Sequence, residues 1–116
     1  MFLLEESIVP MNEMHIIWQR YFMFDIFDSN EIESDQTLIV DADTIVHPDC
    51  PNFFNETNGK YSAVRNNGSF EWVRRSMNGF SKLLFPGDIT FNVWDYINCG
   101  FQIVNKDHKE FFEYVR

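Results

Sequence analysis

The 116-residue sequence predicts an α/β fold, with helices packed on a sheet. Two observations carry this expectation. Short β-branched runs, Thr37 to Val40, Tyr61 to Asn66 and Gly100 to Asn105, recur along the chain. Longer stretches with helical spacing of apolar residues fall between and after them, and such alternation is the pattern of helices laid on a sheet. The length allows one domain at most, residues 1–116.

Residues 2–6, FLLEE, are apolar and then acidic, and could end a strand; Pro10 breaks it. Asn12 is placed to cap a helix over EMHIIWQRYFMFDIF, in which Ile17, Tyr21 and Phe24 recur at helical spacing. Met14, Trp18 and Phe22 flank that row, so the helix is expected to be buried on more than one side. DSNEIESD is a polar loop. TLIV is too short and too β-branched to be a helix and reads as a buried strand. Residues 41–60 carry two prolines and many turn residues and read as irregular. YSAVRN is a second strand, Asn66-Asn67-Gly68 a turn, and Ser69 the cap of a helix over FEWVRRSMNGFSKLLF, weakened at Gly79. Pro86-Gly87-Asp88 is a turn, GFQIVN a third strand, and KDHKEFFEYVR a closing helix.

The net charge of −9 is uneven. Residues 1–56 hold 12 Asp and Glu against Arg20 alone, whereas residues 57–116 hold 6 acidic and 8 basic residues. An acidic half repels nucleic-acid phosphate, so no nucleic-acid partner is expected, although a divalent cation and an anionic ligand can share such a surface. A solvated acidic face is the plain alternative. No apolar run is long enough to span a bilayer, and the first residues lack a basic leader region, which together point to a cytoplasmic protein. Cys50 and Cys99 are far apart and have no CxxC spacing, so neither zinc nor a disulfide framework is expected. The sequons at Asn55 and Asn67 are discounted for want of a secretion signal.

The chemistry concentrates at LIVDADTIVHPD, residues 38–49, where the apolar run stops at Asp41-Ala42-Asp43. Ligands of open α/β sheets bind at the carboxyl ends of strands, which is where these carboxylates fall. Two chemistries use such a pair. Paired carboxylates can hold Mg²⁺ or Mn²⁺, whose remaining ligands are often phosphate oxygens. Alternatively, Asp41-Ala42-Asp43-Thr44 resembles the D-x-D-x-T motif that opens haloacid dehalogenase-like phosphatases, with Asp41 as nucleophile. The remainder of that pattern is absent: Lys82 lies only five residues before Gly87-Asp88, the next acid is Asp95, and 37 residues precede Leu38.

The residues around the pair favour the cation. Asp41 to Asp49, followed by Pro51-Asn52-Phe53-Phe54, resembles the DxD segment of GT-A-type glycosyltransferases, nearest to the family of glycogenin and the bacterial lipopolysaccharide galactosyltransferases. A second block, Tyr96 to Asn105, resembles that family's aromatic-hydrophobic-Asn-small-Gly strand entry, and Lys106 to Phe112 resembles the helix that follows. The blocks are in the family's order, and 55 residues separate Asp43 from Asn98. The resemblance covers roughly residues 16–116.

The resemblance implies a partial GT-A (Rossmann-like) sheet with flanking helices, corresponding to the central, DxD-bearing part of such a domain. It implies that Asp41 and Asp43 bind Mn²⁺ or Mg²⁺, which bridges the diphosphate of a nucleotide-sugar donor, most simply a UDP-sugar. Asn98 would face the sugar, Gly100 would allow close backbone approach, and Arg20 would lie near the donor. Asp95, three residues before Asn98, is a candidate for contact with a hydroxyl acceptor, a glycan or another alcohol. A structural ion pair is the competing role for Arg20, and a backbone-bonding turn is the competing role for Asn98. His47, just before Pro48, reads as a loop residue rather than a metal ligand, and His15 and His108 fall outside the matching motifs. Trp94 could stack on a sugar, whereas Trp18 and Trp72 read more simply as core.

A complete domain of that family is about twice as long, so the chain reads as a fragment, a split product or a reduced relative. A half-domain of this kind exposes sheet edges and apolar faces, which a second copy or a partner chain would cover. A non-catalytic interaction module derived from such a domain is the further alternative.

Overall fold

A computed structural model of the chain describes residues 6–65, 68–83 and 92–116. The fold is mixed α/β, and the described residues form four helices and three strands with short 3-10 segments between them. Its residues divide into two units: 1–37 with 104–116, and 38–103.

In the first unit, a 3-10 helix over Ile16–Phe22 runs directly into α1, Met23–Ser29. The single long helix expected from Glu13 does not form. Asn12 is not its cap: the amides of Glu13 and Met14 both donate to the carbonyl of Pro10, which makes a turn there. The cap is His15, whose Nδ1 accepts from the Ile17 amide at 3.3 Å. Adjacent β-branched Ile16 and Ile17 are poor α-helix formers, and the tighter 3-10 winding at an entry is a common outcome. Burial also departs from expectation. Ile16 is 58% exposed and Ile17 51%, so the helix is not enclosed on several sides. Instead it buries a polar residue, Gln19, whose side chain accepts from the Ile8 amide at 2.8 Å and donates to the Val9 carbonyl at 2.8 Å. A buried carboxamide satisfied by backbone in this way clamps the preceding segment to the helix.

The same unit is closed by a 3-10 turn over Lys106–His108 and by α4, Lys109–Val115. Asn105 caps the turn, its Oδ1 accepting from the Asp107 amide at 2.9 Å, while His108 Nδ1 accepts from the Asn105 amide at 3.0 Å. The buried Phe112 meets Phe24 edge-on, with centroids 5.2 Å apart, and packs tilted against Tyr21 at 5.2 Å. Trp18 stacks on Tyr21 at 5.8 Å. Lys109 pairs with Asp28, and Arg116 pairs with Asp25 while lying 5.1 Å above the Phe22 ring.

The second unit carries the sheet. Strands β1 (Thr37–Val40), β2 (Ser62–Arg65) and β3 (Ile97–Val104) lie in the order β1-β3-β2, and β2 runs antiparallel to β3. Among the described residues there is no larger, doubly wound sheet. β3 starts at Ile97, three residues earlier than Gly100, so Asn98 lies within the strand rather than before it. Its pairing with β2 is interrupted. Ala63 faces Gln102 but the next residue, Val64, faces Asn98, which leaves Cys99, Gly100 and Phe101 as extra residues on β3. Bulges of this kind bend a strand and re-aim its side chains, and they concentrate beside functional sites.

Between β1 and β2 the chain forms a short helix, α2, Phe53–Glu56, capped by the Asn52 carboxamide. The ring of Phe53 meets Phe101 edge-on at 5.0 Å. After β2, α3 spans Phe70–Leu83, with Ser69 Oγ accepting from the Trp72 amide as expected of its cap. The helix runs through Gly79, where a methyl group would meet nothing within 4 Å. The turns expected at 66–68 and 86–88 and the last two residues of the expected helix, Leu84 and Phe85, lie wholly or partly outside the described residues. Val73 is the buried residue of α3, and Ile103 and Gln102 those of β3 in this unit. Trp72, expected in the core, is 50% exposed, because it points a helical step away from Val73.

Candidate functional site

Asp41 follows β1 directly, and its amide donates to the Gly100 carbonyl at 2.9 Å. This bond extends the contact between β1 and β3 by one residue and draws the end of β1 against the bulge. Asn98 folds back on the same point, its Oδ1 accepting from the Gly100 amide at 2.7 Å. Gly100 is therefore held by both its main-chain groups, one from each motif. A Cβ placed on it would lie 2.5 Å from Asp41 Oδ2 and 2.9 Å from Asn98 Oδ1. Both polar side chains occupy the space that any other residue would fill, which is the physical reason for a glycine here.

The bulge is held open from below by Gln102, which has no exposed surface. Its Nε2 donates to the Cys99 carbonyl at 2.6 Å, and its Oε1 accepts from the Tyr61 hydroxyl at 2.6 Å. The bulge thus loses a ladder partner on β2 but regains a buried one from a side chain. Gln102 and Tyr61 were not singled out from the sequence. The only signal was a glutamine in an otherwise apolar strand, where a buried amide must find partners.

The other candidates are placed differently. Asp43 sits in the exposed turn after β1, in which the Thr44 amide donates to the Asp41 carbonyl at 3.0 Å. Asp95 ends a 3-10 turn over Val93–Asp95 and forms an exposed ion pair with Arg65 of β2 at 3.8 Å. Arg20 belongs to the first unit, where its Nε donates to the Ile17 carbonyl at 2.8 Å. His47 closes its own loop, as expected: Nδ1 accepts from the Asp49 amide at 3.1 Å and is 3.7 Å from the Asp49 carboxylate. The structure brings together Asp41, Asn98 and Gly100, pairs Asp95 with Arg65 of β2, and keeps His47 within its own loop.

The larger cleft of the first unit, about 580 Å³, is lined by Phe24, Phe27, Asp28, Lys106 and Lys109 among others, none of them a candidate from the motifs. A smaller one, about 360 Å³, includes Arg20 with Ile16, Gln19 and Met23. No helix among the described residues is long and apolar enough to cross a membrane.

Among the described residues no group of three or more His, Cys, Asp or Glu side chains is arranged to hold a metal ion. Asp41 and Asp43 can supply two carboxylates at most. That donor set fits a hard cation that keeps water and takes phosphate oxygens, as Mg²⁺ does, and does not fit a cation caged by protein alone. No protein-family model matches the chain, and no curated protein and no solved structure matches it.

Proposed function

We propose that residues 38–103 form the donor side of a metal-dependent glycosyl-transfer site, which passes a hexose from a nucleotide sugar to a hydroxyl. The observation that carries this reading is the convergence of the Asp41 carboxylate and the Asn98 carboxamide on Gly100. Two short blocks far apart in sequence meet at one point, as a shared ligand requires.

The geometry supports the following roles. The Gly100 carbonyl fixes the Asp41 backbone, so the carboxylate projects from a held strand end rather than a free loop. Asn98 Oδ1 is committed to the Gly100 amide, which leaves its Nδ2 hydrogens as the donors for a sugar hydroxyl. Asp41 and Asp43 would hold Mn²⁺ or Mg²⁺ together with the diphosphate. When bound, such a cation neutralises charge on the departing nucleotide. With two protein carboxylates, cation and nucleotide each bind weakly alone and strengthen one another.

Calorimetry with Mn²⁺, UDP and both together tests the reading. The expected result is UDP binding that depends on Mn²⁺ and disappears in Asp41→Asn. Absence of binding by either ligand would leave a non-catalytic interaction module. Hydrolysis of p-nitrophenyl phosphate that is lost in Asp41→Asn would transfer the site to the phosphatase reading.

A further inference from the structure

Two triplets in the second unit have the same pattern, aromatic–acid–aromatic. One is Phe70-Glu71-Trp72 in the first turn of α3, and the other is Trp94-Asp95-Tyr96 ahead of β3. The structure pairs them ring for ring. Phe70 lies against Trp94 with centroids 6.3 Å apart and planes tilted by 38°, and Trp72 meets Tyr96 edge-on at 5.9 Å. Rings paired this way in a core are covered, but Trp94 is 65% exposed, Phe70 54% and Trp72 50%. The acids between them are exposed too, and each is matched by an arginine: Asp95 with Arg65 at 3.8 Å, Glu71 with Arg75 at 3.4 Å.

We propose that the Phe70–Trp94 and Trp72–Tyr96 ring pairs form a saccharide-binding platform for the acceptor, so that the hydroxyl acceptor is a neutral glycan. Its role in transfer rests on the glycosyl-transfer reading of Asp41 and Asn98. Three observations select a sugar as the occupant. Sugar rings present C–H groups of partial positive charge on one face, which the negative face of an exposed indole or phenyl ring attracts. Their hydroxyls, directed outward, need donors and acceptors at the edge of the stack, and the Arg65–Asp95 and Arg75–Glu71 pairs offer both kinds in adjacent positions. A cation would also favour aromatic faces, but both carboxylates are neutralised and Arg74 adds a further positive charge to the same helix. The core of a protein interface is depleted in charged residues, whereas each triplet here has one at its centre. The platform also lies within reach of the site. Trp94 is four residues from Asn98, a separation of at most about 14 Å even for a fully extended chain.

The three tryptophans give an internal control, because Trp18 lies in the other unit. Maltoheptaose and cellohexaose, added to the full chain without metal or nucleotide and followed by the indole N–H signals in NMR, should shift Trp72 and Trp94 saturably and leave Trp18 in place. Trp94→Ala should weaken binding about tenfold or more, and Trp94→Phe, which keeps a ring face, should restore part of it. Asp41→Asn should leave oligosaccharide binding unchanged, so loss of Mn²⁺-dependent UDP binding and loss of the platform are read separately. Equal shifts at all three indoles, unchanged affinity in a Trp94→Ala chain whose Trp18 signal is native, or shifts with choline but not with either oligosaccharide would each overturn the proposal.

Discussion

The Asp41 amide donates to the carbonyl of Gly100 over 2.9 Å, and the Asp41 carboxylate fills the space where a side chain on Gly100 would lie. One residue thus anchors the backbone and defines the position of the functional group. In Gly100→Ala the new methyl meets the outer atoms of a carboxylate and of a carboxamide, not backbone. Both side chains can swing aside. The expected outcome is a folded variant, within about 1 kcal/mol of the parent in urea titration, that has lost Mn²⁺-dependent UDP binding by calorimetry.

Substitution separates the bond of Asn98 to the Gly100 amide from the sugar contact proposed for it. Asn98→Asp keeps an acceptor for the Gly100 amide, whereas Asn98→Ala leaves that amide without its 2.7 Å bond. At pH 7 the Ala variant should lose about 1 kcal/mol in chemical denaturation, with the Asp variant closer to the parent. Both remove the Nδ2 donor, and both should weaken binding of UDP-glucose more than that of UDP.

Gln102 carries the largest expected stability effect. In Gln102→Leu the Tyr61 hydroxyl and the Cys99 carbonyl both lose Gln102 as a partner, and because each bond is part-buried the cost is about 1–2 kcal/mol. Tyr61→Phe removes only one of the two bonds and should cost about 1 kcal/mol. Urea midpoints of the two variants measure the difference.

Gly79 is a different kind of glycine. It lies inside α3, and an added methyl would meet open space. Gly79→Ala should raise stability by about 0.5–1 kcal/mol, read as a higher melting temperature, with no change at the site.

The pair of Lys109 and Asp28 sets one pH dependence. Its hydrogen bond and charge attraction to Asp28 raise the Lys109 pKa above the ordinary 10.5. A lysine raised in the folded state contributes stability fully below its unfolded pKa and loses that contribution as pH rises through the folded value. The difference in stability between the parent and Lys109→Met should therefore stay constant from about pH 6 to 9 and shrink above about pH 10.5. Denaturation curves across that range check it.

Some of this was legible in the sequence because the signals are local. Ser69 before a helical repeat specifies a cap, and Thr37 to Val40 specifies a strand wherever it pairs. The order of the Asp41 and Asn98 blocks was also legible. Their convergence was not fixed by order, because it depends on β3 skipping three residues against β2, and only Gly100 hints at that. The start of the 3-10 helix over Ile16–Phe22 is hard to place from sequence for a related reason. Asn12 and His15 both offer a side-chain acceptor, and the Pro10 carbonyl, which draws the Glu13 and Met14 amides, decides between them. Aromatic residues in helices usually face inward, which predicts a buried Trp72, but Val73 takes the buried position of that turn.

The bulge has a consequence for how this region tolerates change in length. Side chains alternate along a strand, so a loop-out shortened or lengthened by one residue rejoins the ladder with the opposite face turned outward. Of the three residues skipped on β3, Gly100 is fixed by the space that Asp41 and Asn98 fill, and Phe101 by its ring contact with Phe53, whereas Cys99 is bonded to Gln102 through its main-chain carbonyl. Whether the Asn98 carboxamide faces Asp41 therefore depends on parity, on whether the number of skipped residues is odd or even. Deletion of Cys99, which leaves Gly100 and Phe101 in the chain, is expected to turn Asn98 away from Asp41, where a substitution only adjusts the arrangement.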